Sequence, residues 1–216
     1  EDVSIEGLTY GEAGDVETPW KDFDPTVRPQ RKVAFLGDSI TDARHLGCRL
    51  NYWNFLADDL NVEPRVYGIS GHQWNRIPAQ VAAMKKDGFL PEVVSILMGT
   101  NDFNGSVPRG EWYDVAEEVT PRSGGPAKLL RRRPSMDEKT FRGRINRLLS
   151  YLKHSFPDQQ IVLVTSIHRG YATFGPKNIQ PDESFPNACG VWFDDYVADV
   201  RKAADIWSVP LVDLYR

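Results

Sequence analysis

The chain has 216 residues, of which 41% are hydrophobic and 26% charged, within the range of one soluble globular domain. Its net charge of −4 leaves no basic footprint and argues against a nucleic-acid partner. No apolar run approaches the length that spans a membrane.

Residues 1–31 carry Gly, Pro and acidic side chains around a short alternating stretch, Val3-Ser4-Ile5-Glu6. They read as an extended leader packed on the domain, with one edge strand. The domain itself is expected over 32–216. The chain starts at Glu1 rather than Met. A removed secretion signal is one explanation and a cloning boundary another; the expected location is secreted or periplasmic. Cys48 and Cys189 either pair in an oxidising compartment or stand alone, and the unpaired reading is favoured.

From Lys32 strands alternate with helices. Val33-Ala34-Phe35-Leu36, ending at Gly37, reads as a strand buried on both faces. Leu46, Leu50, Trp53, Leu56 and Leu60 form a helical stripe. Arg65–Ile69 reads as a strand, Pro78–Lys86 as a helix stopped by Gly88, and Val93–Met98 as a third strand. Residues 100–134 read as one long loop of functional type. Ser135 and Glu138 form a capping-box pattern for a helix that carries Phe141, Ile145, Leu148, Leu149, Leu152 and Phe156 and closes at Pro157. Ile161–Thr165 is a fourth strand, Val191–Trp207 a helix, and Pro210–Asp213 a fifth strand.

This alternation predicts a three-layer α/β/α sandwich around a flavodoxin-like, parallel five-stranded sheet. Sites in such sheets lie beyond the carboxyl ends of the strands. Ser39 follows the first strand in Gly37-Asp38-Ser39-Ile40-Thr41, and a helix beginning there would add unpaired amides suited to an oxyanion. Capping the same helix is the plainer role for that serine. Gly68 and Gly71 follow the second strand and suit either a turn or a close ligand approach. Asn101, in Gly99-Thr100-Asn101-Asp102 after the third strand, is able to donate to a developing oxyanion or to bond locally to backbone.

Gly37-Asp38-Ser39 and Gly99-Thr100-Asn101-Asp102 resemble the first and third blocks of the SGNH (GDSL) hydrolases, over residues 32–213. Gly71 is the better match to the second-block glycine and Gly68 the runner-up. The resemblance implies Ser39 as nucleophile, and an oxyanion hole from the Ser39 amide, the Gly71 amide and the Asn101 side chain. The implied reaction is ester hydrolysis through an acyl-serine. Thr41 takes the place of the last glycine of Gly-x-Ser-x-Gly, which argues against an α/β-hydrolase elbow.

The family's fourth block, Asp-x-x-His after the last strand, supplies the base. No histidine follows Asp213, and the parent protein is expected to continue past Arg216 with that block and a final helix. Asp42-Ala43-Arg44-His45 lies too close to Ser39 along the chain to serve and is read as chance. His168 stands on the right edge of the sheet, His72 lies near the site by topology, and His154 faces solvent.

Asp38, Asp102, His168 and Trp74 are the expected substrate contacts, with Trp112, Arg109 and Arg169 as further candidates whose ordinary roles are packing and solvation. O-acetyl groups on carbohydrates are the expected substrate, with lipid or short-chain esters second. A glycan-binding protein without turnover is the rival. No nucleotide motif or metal-ligand cluster is present in the sequence, so no cofactor or metal is expected.

Overall fold

The computed structural model describes residues 3–5, 8–10, 30–44, 50–176 and 178–216. Five parallel strands form the central sheet: β3 (Arg31–Gly37), β4 (Val62–Val66), β5 (Val93–Leu97), β8 (Gln160–Val164) and β11 (Leu211–Val212). Their spatial order, β11-β8-β5-β3-β4, is the doubly wound order, and it reverses direction between β3 and β5. The chain after β3 carries Ser39 and the chain after β5 carries Asn101. The reversal therefore opens a crevice between those two residues.

Strand pleating sends alternate side chains to opposite faces. Ala34, Leu36, Val94, Ile96, Ile161 and Leu163 face α2 (Ile77–Lys86), α4 (Phe141–Ser155) and α5 (Phe193–Trp207) in the main core. Val33 and Phe35 point the other way, onto Tyr52, Trp53 and Leu56 of α1 (Tyr52–Leu60). Helices thus lie on both sides of the sheet, as the alternation predicted.

Several boundaries differ from the sequence expectation. The second strand runs Val62–Val66, upstream of Arg65–Ile69, because Val62 to Val66 pair in register with Arg31 to Phe35; Tyr67 and Ile69 still donate to the carbonyls of Phe35 and Gly37. Residues 100–134 are not one loop. They hold a short helix, α3 (Thr100–Asn104), and a hairpin of β6 (Tyr113–Thr120) with β7 (Ala127–Pro134); a second, shorter pair, β9 (Ala172–Thr173) with β10 (Ile179–Gln180), follows β8. The hairpin was hidden because both its faces meet water, so its strands have no apolar side and give no clean period-2 pattern.

The fourth helix begins at Phe141, later than the Ser135/Glu138 pattern suggested. Thr140 is the N-cap and its hydroxyl accepts from the Gly143 amide, while Ser135 is buried and its carbonyl accepts from Asn146. The leader reading falls mostly outside the described residues. Within it, β1 (Val3–Ile5) and β2 (Leu8–Tyr10) pair with each other, not with the main sheet. Leu46, His45 and Cys48 also lie outside the described residues. Cys189 is a free, exposed thiol.

Candidate active site

Ser39 sits in a turn, not at a helix start. The Asp38 carbonyl accepts from Thr41 and Asp42, which closes one turn. Asp42 then uses Oδ1 to accept from the Arg44 amide and guanidinium, a local side-chain contact that competes with helix continuation. Among the described residues no helix starts at Ser39 to supply the expected dipole, and α1 spans Tyr52–Leu60. The turn is clamped from below instead. The Tyr52 hydroxyl lies 3.1 Å from the Thr41 hydroxyl, and the Trp53 indole donates to the Thr41 carbonyl at 3.1 Å.

Three segments converge on this turn. Asp42 Oδ2 accepts from the Ser70 amide at 2.8 Å and its hydroxyl at 3.1 Å, which ties the Ser39 turn to the Gly71 loop. Asn101 Nδ2 donates to the His72 carbonyl at 3.0 Å, which ties the β5 loop to the same place. Gln73 Nε2 donates to the Asn101 carbonyl at 2.8 Å, so Asn101 is held at side chain and backbone alike. One N–H of the Asn101 amide remains beyond the bond to His72. Among the described residues, the Ser39 and Gly71 amides have no acceptor.

The two candidate glycines do different work. A Cβ on Gly68 would lie 2.7 Å from Thr41 Cβ, so Gly68 is a packing glycine beneath the turn. Gly71 has φ +79° and open space where its Cβ would be. Its placement suits an amide presented to a ligand.

The expected substrate contacts fare unevenly. Asp38 is 1% exposed and Asp102 0% exposed, so both carboxyls lie under the site and neither reaches a substrate. Asp38 Oδ1 accepts from the Ile40 amide and Oδ2 has no partner among the described residues; burial, with Asp102 nearby, raises its pKa to about 7. Asp102 takes the Trp74 amide and the Arg144 guanidinium, yet burial still raises its pKa to about 6. Trp74 is 0% exposed and packs edge-on against Phe141, so it is a core residue and not a sugar platform. Trp112 is half-buried against the core, under the Arg142 guanidinium.

Arg109 is paired with Asp199 and Asp195 and is not free for an anion. Arg169 lies over the rings of Phe103 and Phe193. His168 is exposed, with Nδ1 2.6 Å from Glu183 Oε1 and its ring stacked on Tyr215. His154 Nδ1 lies 2.7 Å from the Ser150 carbonyl on α4. Among the described residues, no side chain bonds to the Ser39 hydroxyl, and no group of His, Cys, Asp and Glu side chains is placed to hold a metal.

Asp42, Ser70, Gln73, Gln80 and Arg144 carry the site's framework; sequence reading assigned Asp42 no role beyond a chance Asp-x-x-His and assigned the other four none. The bonds that tie them to other segments, Asp42 to Ser70, Gln73 to Asn101, Gln80 to Gly37 and Arg144 to Asp102, span 28 to 43 residues, so no local spacing marks them.

The model of the GDSL-like lipase/acylhydrolase family matches residues 35–216. The chain belongs to that family. It is accordingly an ester hydrolase. Solved structures share the fold. A Lactobacillus plantarum protein is 25% identical with a TM-score of 0.61, covering 88% of this chain and 79% of that one. A possible lipase from Chitinophaga pinensis is 20% identical with a TM-score of 0.66, covering 87% and 68%. No curated protein matches the chain. Among the described residues, no helix is long and apolar enough to cross a membrane.

Proposed function

We propose that this GDSL-family protein hydrolyses esters through an acyl intermediate on Ser39, with O-acetylated carbohydrate as substrate. The observation that carries the mechanism is the pair of ties, Asp42 to Ser70 and Asn101 to His72, that gathers Ser39, Gly71 and Asn101. In this reading the Ser39 hydroxyl attacks the ester carbonyl. The Ser39 and Gly71 amides and the remaining Asn101 N–H receive the negative oxygen, a term worth about 10²–10³ in kcat per donor. The alcohol leaves, and water releases the acid from the serine.

The hydroxyl needs a base. Among the described histidines, His72 is engaged with Gln80, His154 with the α4 backbone and His168 with Glu183.

The carbohydrate reading is supported by the loop after β8, on the same strand-end edge as Ser39. Tyr171, Phe174, Phe185 and Trp192 of that loop are exposed, and aromatic faces of this kind suit sugar rings. An acetylated glycan also suits a secreted or periplasmic protein, which cell fractionation checks. A second reading, longer acyl chains, is raised by an apolar cleft of about 850 Å³ that runs along the α1-side face of the sheet, from Val62 and Val93 past Val162 and Val164 to Ile40 beside Ser39.

The experiment compares acetate release from acetylated glycans with hydrolysis of nitrophenyl esters of increasing chain length. Acetate release without a gain for longer chains supports the first reading, and a rise with chain length supports the second. Ser39→Ala abolishes both activities; retained turnover would remove Ser39 from its role.

A further inference from the structure

We propose that His72 and Gln80 are positioning residues for ester hydrolysis, with Gln80 holding His72 as the neutral imidazole protonated on Nε2. This rests on the reading of Ser39, Gly71 and Asn101 given above.

Gly37 is the last residue of β3. Its N–H donates to Gln80 Oε1 at 3.0 Å, and its carbonyl accepts from Gln80 Nε2 at 2.7 Å. These two bonds fix which way the Gln80 amide faces, because a flipped amide would set donor against donor and acceptor against acceptor. Gln80 is buried on α2, so water does not compensate a flip. The second Nε2 hydrogen is left to point at His72 Nδ1, 3.1 Å away. That nitrogen must be the acceptor, and the imidazole proton must sit on Nε2.

His72 then joins the three parts of the site. Its side chain meets Gln80, which grips the strand end before Ser39. Its amide donates to the Ile69 carbonyl and closes the turn that contains Gly71. Its carbonyl accepts the Asn101 amide.

A proton on Nδ1 sets two donors face to face. Either the ring turns away from Gln80, or the amide turns and releases Gly37 at the strand end before Ser39. The surroundings keep the proton off. Burial, then Arg76 beside it, push the His72 pKa down; Asp42 opposes them and Arg44 adds to them.

The test uses the full chain labelled with 15N-histidine, read by long-range 1H–15N correlation, with the His72 signal assigned by its loss in His72→Gln. The expected result at neutral pH is a bare Nδ1 and a protonated Nε2. A proton on Nδ1, or a mixture of tautomers, overturns the proposal.

A second arm uses Gln80→Glu, whose carboxylate accepts but does not donate. The His72 proton is expected to move to Nδ1. The rate of Ser39 acylation by nitrophenyl acetate is expected to fall on the order of 10²-fold with a smaller change in KM. An unmoved proton or an unchanged rate counts against the proposal. Loss of the Ser39 reading, by turnover in Ser39→Ala, is separate, because the tautomer is read without any substrate.

Discussion

Arg144 reaches from α4 to Asp102, placing Nη1 2.8 Å from Oδ1 of a carboxylate with no solvent exposure. The same carboxylate accepts the Trp74 amide through its other oxygen. This one group therefore joins the β5 loop, the segment after Gly71 and a helix behind the site. Removing Arg144 leaves a buried charge without its partner, at a cost of about 3–5 kcal/mol. Arg144→Met is expected to lower the urea midpoint accordingly. Adding Asp102→Asn, which keeps an acceptor for Trp74, should recover more than half of the loss. An additive double variant would show that the pair does not couple.

Asp38 gives stability an unusual pH dependence. Its native pKa is raised to about 7 by burial, against about 3.9 in the unfolded chain. Between those values the native state binds more protons than the unfolded state, so stability falls as pH rises. The loss runs from about pH 4 to about pH 8 and is on the order of 4 kcal/mol. Asp102, raised to about 6, adds in the same direction. Asp213 is lowered to about 2 by Arg201, which acts at more acidic pH and with opposite sign. Unfolding of Asp38→Asn by urea should show a shallower fall from pH 4.5 to 7.5 than the parent. Equal slopes would contradict this account.

Gly37 and Gly71 respond differently to alanine. A Cβ on Gly37 would lie 2.4 Å from Thr41 Oγ1 and 2.6 Å from the Leu97 carbonyl, and the latter is backbone of the adjacent strand. Gly37→Ala is expected to cost about 1–3 kcal/mol or more and to displace the Ser39 turn. Gly71→Ala meets no atom and carries only the left-handed backbone penalty, about 1–2 kcal/mol. Thermal unfolding of the two variants ranks them; a larger loss for Gly71→Ala would reverse the assignment.

Asp199 is buried between two guanidiniums, Arg109 at 2.7 Å and Arg142 at 3.0 Å. It locks the loop after α3 and the start of α4 onto α5. Asp199→Ala leaves both arginines without this carboxylate and should destabilise by about 3–5 kcal/mol. If the urea midpoint moves little, the network is not holding these elements.

The sheet and its catalytic edge were legible in the sequence because buried parallel strands are continuous apolar runs that end in glycine, as at Gly37 and Gly99. The hairpin was not, because Tyr113–Thr120 and Ala127–Pro134 have no buried face. Among site residues, Ser39, Gly71 and Asn101 stood out by motif and strand-end position. Trp74, Asp38 and Asp102 were assigned to substrate because residue type suggests chemistry but does not report burial.

The sequence by itself determined the strand–helix alternation and which loop tips carry the Gly-Asp-Ser, Gly and Gly-Thr-Asn-Asp segments. Periodicity and glycine placement are local properties, and local order along the chain records them. Only the tertiary structure decided what holds those tips together: Gln80 on Gly37, Asp42 on Ser70, Asn101 on the His72 carbonyl and Arg144 on Asp102. Those bonds join residues 28 to 43 positions apart. Their partners are chosen by burial, where an unpaired polar group is costly, and burial exists only once the sheet and its helices have packed.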